Sequence, residues 1–322
     1  GGEMSNVPLM AGVLDGEVLK IEEIVTATAT FLKNDRCLDR EGRTKKIDLQ
    51  DKDRRNIPLI RNFDKHLSSI LKHICNLDVS PIAERLMELG GDAAFSNEYQ
   101  EKNGNAIITE RKQILEIFKP GTTSLQLIFS SKDASKVYHF PWLADWLPMI
   151  QEHILETMGI QINNVIRMMF ANMPEGSTIN FHRDMNDWVQ KAHRVHIPII
   201  THPDVFFLTE IKQNVGNLAR RMKHEEEEGN DEDDGHKIMR IKSNAGEAYE
   251  FNNAMGHAVR NLGEGRVHLI LDWIEEVTDE KGDPAYTLVN LRPGENCASL
   301  KGHSDLECTL DSEENHGVRE EI

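Results

Sequence analysis

The chain of 322 residues is 39% hydrophobic and 28% charged, a composition that fits a globular protein of one large domain or two small ones. Its net charge of −17, with no dense basic stripe, argues against a nucleic-acid partner, which is held through its phosphate backbone. No apolar run approaches the roughly 20 residues that cross a bilayer as a helix, so no membrane association is expected.

The first stretch, 1–160, reads as a mixed α/β support region. Residues 18–32 are apolar and β-branched, with a Thr/Ala alternation at 26–30, and predict a strand. Residues 34–55 read as a charged loop or exposed hairpin, and Pro58-Leu59-Ile60 as a short extended piece. Behind Asp64, residues Leu67, Ile70, Leu71 and Ile74 recur at helical spacing, which predicts a helix over 65–76. Ser80-Pro81 opens a second helix that runs to Leu89 and stops at Gly90-Gly91. A third short helix is expected over 109–118, a strand over 125–129, and a helix over 147–158 ending at Gly159. Tyr138, Phe140, Trp142 and Trp146 are expected to pack in a core. This half is therefore predicted to be α-rich.

From Asn164 the rhythm changes. Short β-branched runs occupy 165–171, 177–181, 195–200, 205–210, 238–242, 247–251, 258–261 and 267–273, with turn signals such as Pro174-Glu175-Gly176 and Gly263-Glu264-Gly265 between them. Eight short strands with regular turns predict a barrel or jelly roll, and 161–280 reads as the catalytic core. An acidic insertion, 212–237, interrupts it and reads as a helical start followed by a disordered loop. A polar, acidic tail over 281–322 is expected to be mobile. Cys37, Cys75, Cys297 and Cys308 form no CxxC pair. They read as reduced thiols, and with no signal-peptide pattern at the start a cytoplasmic location is expected.

The chemistry concentrates in the second half. His182 and Asp184 lie two apart, so on a strand both side chains face one way. With the distal His257 they supply two imidazoles and a carboxylate, the ligand set of an Fe(II) site with open positions. Arg266 opens an otherwise apolar strand (Val267, Leu269, Ile270, Leu271). A buried guanidinium there needs a charged partner, and its fork matches a carboxylate, so it reads as the clamp for an anionic cosubstrate; a structural ion pair with Asp272 or Glu250 is the alternative. His268, two residues on, reads as a packed core histidine.

The order His182-Arg183-Asp184, Arg194-Val195-His196-Ile197-Pro198, Gly246-Glu247 through Asn252-Asn253 to His257, then Arg266-Val267-His268-Leu269-Ile270-Leu271-Asp272 resembles the aspartyl/asparaginyl β-hydroxylase family of Fe(II)/2-oxoglutarate dioxygenases. Its soluble branch, which includes proline hydroxylases, is the most similar. The resemblance covers roughly residues 164–275. It implies a double-stranded β-helix, a jelly-roll, cupin-like core, and oxidative decarboxylation of 2-oxoglutarate to succinate coupled to hydroxylation of an unactivated C–H with O2. It implies that His182, Asp184 and His257 hold Fe(II), that Arg266 holds the 2-oxoglutarate carboxylate, and that Arg194 and His196 line the cosubstrate pocket. Arg167, Asn186, Trp188 and Asn253 are candidates for contact with an amino-acid, peptide or other small-molecule substrate. A cupin-like metal enzyme that does not use 2-oxoglutarate, and a non-catalytic binding module on the same barrel, are the rival expectations.

Overall fold

The structure is a computed structural model that describes residues 71–91, 95, 118–119, 123–131, 133–182, 184, 187–211, 237–252, 256–278, 281–292, 295–299 and 306–310, with shorter pieces at 13–14, 17–18, 24–26 and 46. All eight strands expected after Asn164 are present. They are β1 (Val165–Met173), β2 (Thr178–His182), β3 (His193–Ile200), β4 (Val205–Ile211), β5 (Lys237–Ile241), β6 (Glu247–Phe251), β7 (His257–Asn261) and β8 (Arg266–Trp273).

Their pairing is that of one long hairpin wound on itself. β1 pairs with β8, β2 with β7, β3 with β6 and β4 with β5, all antiparallel. Further pairings of β3 with β8 and β4 with β7 merge these into two sheets, with core orders β1-β8-β3-β6 and β5-β4-β7-β2. That is a jelly roll.

The first sheet is extended on the β1 side by Thr123–Ser130, Lys136–His139 and Thr287–Asn290, and on the β6 side by Leu71–Asn76. The second gains Ile24–Thr26 beside β5 and Phe118–Lys119 beside β2.

Strand alternation sorts the side chains of β3, β6 and β8 between two faces. Val195, Ile197, Ala248, Leu269, Leu271 and Trp273 join the large core that also takes in the helices Ser80–Glu88 and Leu143–Ile150. Phe251 belongs to a smaller cluster with Met173, Ile179, Phe207, Ile241 and Val259, drawn from both sheets. Because the first sheet is covered on both sides, β8 is buried at every residue. Each fully buried aliphatic side chain there contributes roughly 1.5–3 kcal/mol. The polar residues on its inner face are thus placed in a dry, rigid setting.

Gly246 shows how closely the turn before β6 packs. It has φ +81°, and a Cβ there would lie 2.2 Å from the carbonyl oxygen of Leu77, so a side chain is excluded by contact as well as by conformation.

The predicted helix at 80–89 appears as Ser80–Glu88, the strand at 125–129 as Thr123–Ser130, and the helix at 147–158 begins earlier, at Leu143, and ends at left-handed Gly159. Tyr138, Phe140, Trp142 and Trp146 are buried core residues as expected, with Trp146 edge-on to Phe170 at 4.8 Å.

Four expectations are corrected. Leu71–Asn76 is a strand, because pairing with β6 outweighs the helical spacing of its few apolar residues. With Phe118–Lys119 also extended, the described residues of the first half mix strands and helices, and the α-rich reading is not supported. The segment read as a mobile tail supplies the strand Thr287–Asn290, parallel to Lys136–His139, and a hairpin of Glu295–Ser299 with Leu306–Leu310. Cys75 is disulfide-bonded, so the reduced-thiol reading fails there. The cytoplasmic expectation loses its cysteine argument, since disulfides persist in oxidising surroundings. Among the described residues no helix is long and apolar enough to cross a membrane. The expected extended piece at 58–60 and the acidic insertion at 212–236 lie outside the described residues.

Candidate metal and anion site

Strand register brings the first two ligand candidates together. His182, the last residue of β2, is the cross-strand partner of His257, the first of β7. Their rings are 4.2 Å apart between centroids. A register shift follows His257, a bulge of the kind that re-aims a side chain at the rim of a barrel. Asp184 completes the group: one ligand atom from each of His182, Asp184 and His257 lies within 4.8 Å of the others.

Two second contacts orient this set. His182 Nδ1 is 2.9 Å from the Asn180 carbonyl oxygen, which selects the tautomer with hydrogen on Nδ1 and leaves Nε2 as a lone-pair donor. Nε2 faces Asp184 Oδ1 at 3.8 Å. The other oxygen of Asp184, Oδ2, accepts from Arg194 Nη1 at 2.5 Å. β2 ends at His182, so Asp184 lies beyond the ladder that was expected to hold it. Burial pushes its carboxyl up, but Arg194, His257, His182 and Arg167 outweigh that and hold it below the usual carboxylate range. Two imidazoles and an ionised carboxylate are the donor set of a divalent iron site.

Arg194 is spent on ion pairs. Besides Asp184 it donates from Nε and Nη2 to Asp272 Oδ1 and Oδ2, at 2.8 and 3.0 Å. Burial alone would loosen its proton, but Asp272 and Asp184 outweigh that and hold the proton more firmly than usual. The structure therefore places it beside the candidate ligand Asp184, as a bridge between two carboxylates.

Arg266 is the opposite case. It is 1% exposed, and none of the described carboxylates pairs with it. Asp272 is taken by Arg194 and Glu250 by His193 (2.7 Å), which removes both alternatives raised from the sequence. Its Nη1 meets the sulfur of Met173 at 3.0 Å, its Cζ is 5.7 Å from the Phe207 ring centre, and its Nε has no partner. Burial depresses its pKa to about 10.

His196 and His268 lie near the same Phe207 ring that Arg266 faces. Both are buried, and neither ring nitrogen of either finds a hydrogen bond. Burial, then Arg194, Arg266 and His257, push His196 far below its ordinary value; burial, Arg266 and His196 do the same to His268. His196 connects the two ends of the site. It contacts Phe251 at 5.5 Å, Phe251 contacts His257 at 4.7 Å, and Phe207, which lies against Arg266, is 5.3 Å from His196.

Of the substrate candidates, Trp188 is 2% exposed. It lies on the short helix Asp187–Lys191, which the sequence did not reveal, against the guanidinium groups of Arg167 (4.2 Å) and Arg194 (4.9 Å). Arg167 donates to the hydroxyl and the carbonyl of Ser130, each at 2.8 Å. Asn186 and Asn253 lie outside the described residues. The sequence reading gave Asp272 no role beyond a possible pairing with Arg266. Its six-residue offset from Arg266 puts both on one face of β8, and that parity was the available signal.

No protein-family model matches the chain, and no curated protein does. Among solved structures, the chain is similar to an oxidoreductase of the 2OG-Fe(II) oxygenase family from Burkholderia pseudomallei, at 12% identity over 65% of this chain and 94% of that one, TM-score 0.34. A Pseudomonas putida prolyl-4-hydroxylase shows 13% identity over 64% and 92%, TM-score 0.34. A predicted oxalate decarboxylase from Thermotoga maritima shows 11% identity over 49% and 84%, TM-score 0.24. At these scores the functional reading rests on the site's geometry and not on the likenesses.

Proposed function

We propose that the protein is an Fe(II)- and 2-oxoglutarate-dependent dioxygenase of the aspartyl/asparaginyl β-hydroxylase type, which hydroxylates an unactivated C–H of an amino-acid side chain, free or peptidyl. One observation carries this reading: a two-histidine, one-carboxylate cluster is joined through the rings of Phe251, His196 and Phe207 to Arg266, a buried arginine that lacks a carboxylate among the described residues. A guanidinium buried without a partner costs several kcal/mol, and an incoming carboxylate offsets that cost. A dicarboxylic 2-oxo acid offers one end to the metal and the other to Arg266. This feature also distinguishes the reading from a metal enzyme on the same barrel that does not use 2-oxoglutarate.

His182, Asp184 and His257 would hold the iron, which when bound supplies activation of O2 and couples decarboxylation of 2-oxoglutarate to hydroxylation. The chain does the rest. Asn180 fixes the tautomer of His182, and Arg194 keeps Asp184 ionised. His196 and His268, held neutral, leave Arg266 as the cation that the distal carboxylate meets. Phe207 and Phe251 exclude water from the pocket, which strengthens each of these interactions.

The test is succinate formation by anaerobically iron-loaded protein given 2-oxoglutarate and O2. We expect slow succinate release without added prime substrate, lost in both His182→Ala and Arg266→Ala. Succinate formation that persists in either variant would refute the assignment of that residue. Failure to bind 2-oxoglutarate at all would favour the metal enzyme or the binding module.

A further inference from the structure

The cross-strand register assembles a row of charge beside the metal ligands. Asp272 on β8 is the partner of Arg194 on β3 and of Arg167 on β1. Asp184 approaches Arg194 from outside the sheet, so the four groups alternate in sign and their formal charges sum to zero. Each arginine is also fixed by something other than charge. Trp188 lies against the two guanidinium groups, and Ser130 holds Arg167 through two hydrogen bonds.

Within this row the hydrogen bonds are unequally divided. Asp272 takes Nε and Nη2 of Arg194 with both its oxygens, while Asp184 receives Nη1 on Oδ2 alone. Asp184 Oδ1 remains directed at His182. This division matters because nothing in the strand ladder aims Asp184: β2 has ended two residues earlier. A free guanidinium fork takes a carboxylate through both oxygens. An Arg194 released from Asp272 would grip Asp184 that way and draw its second oxygen off the metal position.

Resting on the metal reading above, we infer that Asp272 is a positioning residue for the metal site: by occupying two donors of Arg194 it limits that arginine to one oxygen of Asp184 and presents the other to the metal. Asp272 is 1% exposed and touches neither the metal ligands' donor atoms nor the pocket around Arg266 through any described hydrogen bond. Its effect is transmitted through Arg194.

The experiment is a Co(II) titration of the metal-free full-length protein, read by calorimetry and by the visible absorption of the bound ion, neither of which needs turnover. Asp272→Asn keeps the shape but removes the charge that holds Arg194. It should lower Co(II) affinity about 10–100-fold, the range for loss of a group that orients a ligand, and alter the visible spectrum. Asp272→Glu should restore the parental spectrum. Arg194→Lys keeps a charge but lacks the fork, so adding Asp272→Asn to it should lower Co(II) affinity no further; Asp272→Ser, which also frees Arg194, replaces Asp272→Asn as the deciding variant if that protein does not fold. Affinity within about twofold of the parent and an unchanged spectrum in the deciding variant would overturn the inference. His182→Ala separates the two levels. If the parent binds Co(II), His182→Ala does not, and the deciding variant matches the parent, only the role of Asp272 falls. If the parent binds no Co(II), the metal reading falls and this inference with it.

Discussion

Two arginines face the space between the sheets from adjacent strands, and their surroundings are opposite. Arg194 meets two carboxylates and the face of Trp188. Arg266 meets a methionine sulfur, an aromatic ring and two histidines that are held neutral. Both are buried, so both have lost their hydration. In the first case the chain itself replaces that hydration, which makes Arg194 part of the scaffold. In the second none of the described residues does, and under the proposed function an anion from outside meets that charge.

The sharpest way to break this contrast is to replace each arginine by methionine in the metal-free protein. Arg194→Met leaves Asp184 and Asp272 uncompensated and should cost about 3–5 kcal/mol. Arg266→Met removes a charge that no described carboxylate balances and should leave stability unchanged or raise it by about 1 kcal/mol or more. Denaturant unfolding of the two variants checks the signs. Destabilisation of similar size in both would mean that Arg266 has a structural partner after all.

Reduction of the disulfide at Cys75 provides a scale for these changes. Cys75 lies on Leu71–Asn76, the edge strand next to β6, and not on the strands that carry either arginine. Reductant should cost about 2–4 kcal/mol. The cost should be the same in the parent and both variants, since distant sites add. A cost that differs between variants would show that the edge strand and the pocket are coupled.

The smallest effect is in pH. His196 and His268 have folded-state pKa values depressed far below the ordinary 6.5, by burial first and by neighbouring arginines second. The unfolded chain then binds protons that the folded chain refuses. Stability from this source is complete above pH 6.5 and is lost as the pH falls below it. Each histidine contributes a slope of up to about 1.4 kcal/mol per pH unit. Replacing His268 with leucine should flatten the acid limb by that amount. An unchanged slope would mean that His268 is protonated in the fold.

The sequence carried the barrel further than its supports. Turn signals marked the jelly-roll strands because most successive strands pass from one sheet to the other through short connections, which leave a local record. Leu71–Asn76 left none, since its identity as a strand comes from pairing with β6, nearly two hundred residues away. The site divided in the same way. His182, Asp184, His257 and Arg266 were legible from residue type and spacing. The bridge through Asp272 was not, because which arginine a carboxylate meets depends on cross-strand register. The spacing placed Arg266 and Asp272 on one face of a strand but left open whether they pair. In the structure Asp272 belongs to Arg194, and Arg266 stays unpaired among the described carboxylates.

Calorimetric titration of the iron-loaded protein with 2-oxoglutarate under nitrogen tests the central claim most directly, with Arg266→Met and the monocarboxylate 2-oxobutyrate as the two comparisons. If Arg266 receives the distal carboxylate, the parent binds 2-oxoglutarate, and removing either the guanidinium or that carboxylate weakens binding about 100-fold or more. If Arg266→Met binds 2-oxoglutarate as the parent does, or the parent does not distinguish the two acids, the pocket is not built for a 2-oxo dicarboxylate and the proposed function is wrong.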